Sequence, residues 1–168
     1  MIISILHRLA WTLMLLALQV FVLNQIHPGG WGAPLLCPLA VIILPLGTSR
    51  AGALLWGFAL GFVTDIFAGT IGIGSAAMTF IALLQPPLLQ LTVPRDSEEE
   101  FSPSFVTMGR WNYLRFMALL FLLHHIIYFA LEGFSYFRLT DIAISMSVSY
   151  AASMLIAIIV ETIRNPKR

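Results

Sequence analysis

Charged residues are scarce in this sequence. Only 10% of the 168 residues are charged and 59% are hydrophobic, whereas an ordinary soluble domain carries about 25% charged residues. A soluble globule of this length could not bury so many apolar side chains, because much of its surface must face water. The mean hydropathy of +0.91 therefore predicts a chain solvated by lipid. A net charge of +1 also provides no basic face for nucleic acid.

Cysteines and catalytic motifs are scarce as well. Cys37 is the only cysteine, so an internal disulfide and a cysteine-based metal cluster are excluded. The sequence has no Gly-x-Ser-x-Gly, no glycine-rich phosphate loop with a lysine and no His-Glu-x-x-His. Each of these would position a nucleophile, a phosphate or a zinc ion. We therefore expect neither enzymatic activity nor a cofactor or bound metal.

The few charged residues delimit long apolar runs. No Asp, Glu, Lys or Arg occurs from Leu9 to Ser49, and only Asp65 occurs from Ala51 to Pro94. A membrane span needs about 20 apolar residues, so each run is long enough for two crossings, and two single spans follow. The sequence predicts an all-α integral membrane protein with one domain, 1–168, and six spans. These lie at about 9–26, 33–48, 51–68, 71–93, 111–131 and 142–161.

Two features leave alternatives open. His7 and Arg8 precede an apolar run, as in a secretory signal peptide, but no small-x-small cleavage site follows, which favours an uncleaved first span. Prolines in the second and fourth spans can interrupt those helices, so that either span could fail to cross fully. They are Pro38, Pro45, Pro86 and Pro87.

Basic residues predict the orientation. Cytoplasmic segments of membrane proteins carry an excess of Lys and Arg. With both termini in the cytoplasm, eight of the nine basic residues lie on the cytoplasmic side and only Arg138 lies outside. The eight are Arg8, Arg50, Arg95, Arg110, Arg115, Arg164, Lys167 and Arg168.

The predicted cytoplasmic loop 94–110 is the only sizeable soluble segment. It carries Asp96 and the glutamates 98–100, followed by Phe101 and Phe105. A solvated connector is the favoured interpretation. The alternative is a docking segment for a cytoplasmic partner, anchored by the two phenylalanines.

Small residues recur along the third span. Gly57, Gly61, Asp65 and Gly69 follow at intervals of four, so they lie near one helix face, and small residues at this spacing let another helix approach closely. That helix is expected to be a neighbour in the same chain or, alternatively, a separate membrane partner. Asp65 is expected to anchor the end of the span by accepting hydrogen bonds from the backbone amides of the following glycine-rich turn. The alternative is a role in proton relay or substrate binding.

Polar side chains cluster on the fifth span. His124, Tyr128 and Glu132 share one helix face, and His125 adjoins them. The favoured interpretation is a polar cluster that joins the fifth span to the third through Asp65. A metal or proton site is the alternative, although the spacing matches no metal-binding motif and adjacent histidines point about 100° apart on a helix.

The stretch from Pro34 to Leu84 resembles the core of the rod shape-determining MreD family. The matching elements begin with a proline early in the second span (Pro34 or Pro38) and the turn Arg50-Ala51-Gly52. They continue with the glycine-rich helix from Gly57 to Asp65 and end with the glycine-led return into the fourth span, Gly72-Ile73-Gly74.

This resemblance implies a fold similar to the substrate-binding subunits of energy-coupling-factor vitamin transporters. It also implies a non-enzymatic component of the bacterial cytoplasmic (inner) membrane. There the chain would bind the periplasmic protein MreC in the cell-shape and wall-elongation complex, which includes the actin-like MreB and the wall synthases. Gly57 and Gly61 would provide the helix–helix contact. The rival interpretation is a vitamin transporter's substrate-binding subunit, in which Asp65, His124 and Glu132 would face an outward pocket.

Overall fold

The described part of the chain is built from six α-helices. A computed structural model describes residues 2–70, 72–93, 101–133 and 139–164, and no strand forms within these ranges. Two short 3-10 turns, Leu23–Gln25 and Pro28–Gly30, follow the first helix. The helices are α1 (Ile2–Phe21), α2 (Pro38–Ile42), α3 (Arg50–Ala68), α4 (Ile73–Thr92), α5 (Arg110–Glu132) and α6 (Leu139–Arg164). The predictions made for the acidic part of the loop, 94–100, for Arg138 and for Lys167 and Arg168 lie outside the described residues.

Five of these helices are long and apolar enough to cross a membrane. They coincide with the first, third, fourth, fifth and sixth predicted spans. Large apolar side chains on their outer faces are exposed, among them Leu55, Phe62 and Leu155, which suits contact with lipid tails as apolar as leucine. The apolar segments are Leu6–Gln25, Arg50–Ala68, Ile73–Thr92, Arg110–Glu132 and Leu139–Arg164.

The second predicted span is not a continuous helix. Within 33–48 the α-helix is limited to the five residues of α2. Pro38 occupies the first turn of α2, where its missing amide hydrogen is not needed, and Pro45 cannot continue the helix. The helix of this segment is thus interrupted at the prolines, while its crossing of the membrane stays a prediction. In the fourth span, by contrast, α4 continues through Pro86 and Pro87.

The broken segment lies in the centre of the bundle. All five residues of α2 are buried, and Leu36, Val41 and Ile42 have no exposed surface. α2 packs against α1, α3, α4 and α5. Backbone that is not helical is tolerated at membrane depth only where the protein satisfies its polar groups, and this central position makes such contacts available.

Two buried glutamines supply hydrogen bonds to the broken segment. The Gln19 side chain on α1 donates to the Pro34 carbonyl oxygen (2.9 Å) and accepts from the Leu36 amide (2.5 Å). From α4, the Gln85 amide group donates to the Leu44 carbonyl oxygen (3.0 Å). These bonds explain why two apolar helices each bury a polar amide, since the cost of its desolvation is offset by the backbone groups it satisfies.

α1, α3 and α5 run in one direction and α4 and α6 run in the other, so the bundle has two distinct ends. At the basic end, α3 and α5 begin with an arginine and α6 ends with one. Two hydrogen bonds hold the described part of the loop, 101–109, at this end. The Arg164 guanidinium donates to the Pro103 carbonyl oxygen (2.9 Å), and the Leu46 amide donates to the Phe101 carbonyl oxygen (2.9 Å). At the opposite end, the cavity end, α1, α3 and α5 finish and α4 and α6 begin.

Candidate functional site

The glycine face of α3 packs against α4. Gly57 and Gly61 are both buried. A Cβ added to Gly61 would lie 2.5 Å from the Gly74 carbonyl oxygen and from Ser75 Cα, and one added to Gly57 would lie 2.8 Å from the Met78 carbonyl oxygen. Only glycine allows such an approach. The expected packing within the chain is therefore confirmed, and as a face for a separate partner these glycines are not available, because α4 covers them.

Asp65 joins the end of α3 to the start of α4. Its buried carboxylate accepts five hydrogen bonds: Oδ1 from the Thr70 hydroxyl (3.0 Å) and the Gly74 amide (2.7 Å), and Oδ2 from the Gly72 amide (3.2 Å), the Ser75 amide (2.8 Å) and the Ser75 hydroxyl (2.7 Å). The amides belong to the start of α4, where they lack helical partners and the helix dipole favours negative charge. The expected anchor is confirmed. A carboxylate has about four lone-pair sites, so none remains for a substrate or a relayed proton.

Gly69 has a different role from the glycines that precede it. It is exposed, adopts a left-handed φ of 70° and donates its amide to the Asp65 carbonyl oxygen. It is the C-cap of α3. Its predicted place on the packing face is therefore wrong, because the helix ends at Ala68.

The two adjacent histidines of α5 have separate environments. His125 is fully buried, with Nδ1 2.7 Å from the Phe121 carbonyl oxygen and Nε2 3.2 Å from Ser153 Oγ on α6. Since a carbonyl oxygen only accepts, Nδ1 carries a proton. Ser153 Oγ also accepts from the Leu35 amide (2.7 Å). His125 therefore connects α5, α6 and the broken segment.

His124 lines the wall of a cavity, with its ring centroid 5.6 Å from that of His125. Its side chain is 3% exposed, its ring stacks on Tyr128 with centroids 6.0 Å apart, and its Nδ1 has no hydrogen-bond partner among the described residues. Tyr128 and the half-buried Glu132 line the same cavity as Asp65. His125 instead belongs to the α6 contact, and a direct link from α5 to Asp65 stays a prediction.

Asp65, His124, Tyr128 and Glu132 line a cavity of about 950 Å³ at the cavity end. Its walls come from all six described helices and from the segment between α1 and α2. The volume lies near the upper limit of about 300–1,000 Å³ for small-molecule pockets. Its polar and aromatic lining includes Gln19, Asn24, His27, Trp31, Phe67, Tyr128 and Phe129.

The charged groups of the cavity are acidic. Asp65, Glu132 and Asp141 line it, and no Lys or Arg of the described residues does. The backbone amides that donate hydrogen bonds to Asp65 offset part of its negative charge. Glu132 ends α5, whose C-terminal carbonyls add partial negative charge. α4 and α6 begin at the same end, and their N-terminal amides add partial positive charge.

No family model, no curated protein and no solved structure matches the chain. Within the described residues, no three His, Cys, Asp or Glu side chains are placed to hold a metal ion. The function of the cavity is therefore inferred from its own geometry and chemistry.

The sequence did not indicate the wall that the turn after α1 contributes. Asn24 lies near the end of the first predicted span and His27 and Trp31 follow that span, and all three line the cavity. The turn packs against α5 at Gly32, where an added Cβ would lie 2.7 Å from Phe129 Cζ. Polar and aromatic residues concentrated in a glycine-rich turn between apolar spans were the available signal.

The two phenylalanines of the loop point into the chain at the basic end. Phe101 and Phe105 are partly buried against the core, and the Phe105 and Tyr113 ring centroids lie 5.2 Å apart. The loop is held by Arg164, which also pairs with the buried Glu161 at 2.9 Å. Docking of a cytoplasmic partner stays a prediction, while internal packing accounts for both phenylalanines.

Proposed function

We propose that this chain is a non-enzymatic component of the bacterial cell-shape and wall-elongation complex, similar in role to MreD and located in the cytoplasmic membrane. The observation that carries this proposal is the joint between α3 and α4. Gly57, Gly61, Asp65 and the return Gly72–Gly74, which carry the resemblance to that family, all belong to this one contact. The glycine-rich helix and the glycine-led return, two of the matching elements, therefore share one contact, which supports the resemblance.

The distribution of charge supports six passes with both termini in the cytoplasm. Every described arginine lies toward the basic end, at the start of α1, α3 or α5 or at the end of α6. The excess of basic residues in cytoplasmic segments then places the cavity at the periplasmic face. Because α1 ends near the cavity and α3 begins at the basic end, the broken segment carries the chain back across the bilayer.

Recognition of an MreC-like partner requires a helix face other than that of Gly57 and Gly61. α6 is the best candidate, because it buries only 17% of its apolar stretch, the smallest share among the five long helices. Ala143, Ser147 and Ala151 lie exposed on it at intervals of four. Small residues at this spacing allow a partner helix to approach closely. MreB and the wall synthases would then be reached through the assembled complex.

Co-purification of the MreC homologue from the same host tests this proposal. Ala151→Leu adds bulk to the outer face of α6 and should strongly reduce capture of the partner. Ala59→Leu adds the same bulk to an exposed position of α3 and should leave capture unchanged. Full capture by the Ala151 variant would refute the α6 face, and failure of the wild-type chain to capture any MreC homologue would refute the proposed function itself.

A second function, the substrate-binding subunit of a vitamin transporter, is favoured by the cavity alone. Its volume of about 950 Å³ and its aromatic lining suit a small organic ligand. His124 and Glu132 would then face the ligand, whereas Asp65 would not, since its acceptor sites are filled by the α4 amides. Loss of such a subunit should impair growth in a way that one nutrient cures, with cell shape unchanged.

A further inference from the structure

We propose that the cavity binds an uncharged organic molecule through a carbonyl or hydroxyl oxygen, with the apolar body of that molecule against the aromatic wall. The two groups that indicate such a ligand are the side chains of Asn24 and His124, which both line the cavity. Neither belongs to the α3–α4 joint that carries the proposed wall-assembly function. The inference goes beyond that function and can fail without affecting it.

The side-chain amide of Asn24 presents an unpaired donor. Its Oδ1 accepts a hydrogen bond from Gln19 Nε2 (2.8 Å), and this bond determines which end of the amide is oxygen and which is nitrogen. Gln19 is itself buried and held by the Pro34 carbonyl oxygen and the Leu36 amide. The buried Nδ2 of Asn24 has no partner within the described residues. Because an unpaired buried donor is costly, this atom requires an acceptor from outside the chain.

His124 provides a second hydrogen-bonding group, deeper in the cavity. It lies eight residues before Glu132 at the end of α5, about 12 Å along the helix axis, and its side chain is 3% exposed. Its Nδ1 has no partner in the described part of the chain. Both ring nitrogens of the adjacent His125, in contrast, lie within hydrogen-bond distance of partners. The packing of the chain thus satisfies one histidine and leaves the other to a molecule in the cavity.

The chemistry of these two groups selects an uncharged oxygen. An amide N–H pairs only with an acceptor, so a ligand group that only donates cannot satisfy Asn24. A neutral imidazole nitrogen donates or accepts according to its tautomer, and a hydroxyl or carboxamide can pair with either form. An ion would lose more hydration free energy than a neutral group on entering the cavity, and the Asn24 amide has no charge to compensate that loss.

Apolar and aromatic side chains select the body of the ligand. Trp31, Met78 and Phe129 line the same cavity, and aromatic faces bury apolar or ring-shaped groups. The volume of about 950 Å³ accommodates a molecule of several rings or the ester group and upper chain of a lipid. A small inorganic ion would leave most of this lining without a contact.

Two sources share this chemistry: a soluble carboxamide or alcohol, and the ester carbonyl group of a membrane lipid. A matched ligand series tests the shared chemistry first. The purified chain in phosphatidylcholine nanodiscs is titrated with indole-3-acetamide, with 3-isobutylindole, which has a similar shape without the polar atoms of the side chain, and with the anion indole-3-acetate. We expect the amide to bind about tenfold more tightly than either analogue, as one hydrogen bond implies.

A pair of variants locates the site. His124→Phe keeps an aromatic ring and removes both nitrogens. It should weaken binding of indole-3-acetamide about tenfold and leave binding of 3-isobutylindole unchanged, which separates a lost hydrogen bond from a misfolded cavity. His7→Phe makes the same change near the start of α1, at the basic end, and should affect neither ligand. The proposal is overturned if the amide does not bind, if either analogue binds as tightly, or if His124→Phe binds the amide like the wild type.

The lipid composition then separates the two sources. Diether phosphatidylcholine has the same headgroup as the diester lipid but lacks the ester carbonyl groups. Tighter apparent binding of indole-3-acetamide in diether nanodiscs would show that the ester carbonyl competes for the site and would identify a lipid as the occupant. Equal binding in both lipids would identify a soluble molecule. Either result supports a site for an uncharged oxygen.

Discussion

Replacing Gly61 by alanine adds one methyl group to the α3–α4 contact and should destabilise the fold. At an open helix position the same change would stabilise by about 1 kcal/mol. Here the new Cβ would lie 2.5 Å from the Gly74 carbonyl oxygen and from Ser75 Cα. Both are backbone atoms, so no side-chain rotation relieves the overlap. A normal contact of about 3.5 Å requires the two helices to separate by about 1 Å.

A separation of this size also affects Asp65. Its bonds to the Gly74 amide (2.7 Å) and the Ser75 amide (2.8 Å) would lengthen beyond the usual limit of about 3.2 Å. Overpacking costs about 1–3 kcal/mol, and weakening hydrogen bonds to a buried charge adds about 1.5–3 kcal/mol. After the helix-propensity gain is subtracted, a net loss of about 3 kcal/mol corresponds to a decrease in Tm of about 6–12 °C.

Thermal unfolding of the purified chain in nanodiscs, followed by tryptophan fluorescence, measures this effect. Ala59→Leu is the control, because it adds more bulk to α3 at an exposed position and should leave Tm within about 2 °C, as most surface substitutions do. If Gly61→Ala is as stable as the wild type or more stable, the close α3–α4 contact does not exist as described.

Three further substitutions test other parts of the structure. Asp65→Asn should destabilise less than Asp65→Leu, since asparagine keeps one acceptor oxygen for the α4 amides; equal losses in Tm would mean that the negative charge itself is required. His125→Phe should lower Tm by breaking the link to α6, whereas His124→Phe removes an unpaired polar atom and should be neutral or stabilising; the reverse order of Tm values would contradict the separate roles of the histidines. Arg164→Gln removes the ion pair with the buried Glu161 and the hydrogen bond to the Pro103 carbonyl oxygen, and should release the loop 101–109 to faster hydrogen exchange; unchanged protection would show that Arg164 does not hold the loop.

Local features of the sequence predicted the long helices and the Asp65 anchor. Apolar runs delimited by Arg50, Arg110 and Arg164 define helices of sufficient length regardless of their neighbours. Asp65 could be assigned because its partners follow within ten residues, in the glycine-rich turn that starts α4. Information of this kind is contained in short sequence windows.

The broken segment and the cavity could not be predicted in the same way. A break at the prolines was an open alternative. However, the backbone groups of the segment form hydrogen bonds with the side chains of Gln19, Gln85 and Ser153. Ser153 lies 118 positions along the chain from Leu35, whose amide donates to it. The cavity has walls from six helices and from the segment between α1 and α2, so its lining depends on how they pack. Sequence spacing likewise predicted a close helix contact at Gly57 and Gly61, but α4 could be named as their partner only from the packed structure.

Conditional depletion of the protein in its own host tests the proposed function most directly, with cell shape and the sites of new wall insertion recorded together. We expect the cells to round up and wall insertion to become delocalised, and we expect vitamin supplements to have no effect on either. Normal shape combined with a growth defect that one nutrient cures would contradict the wall-elongation function and favour a transport subunit.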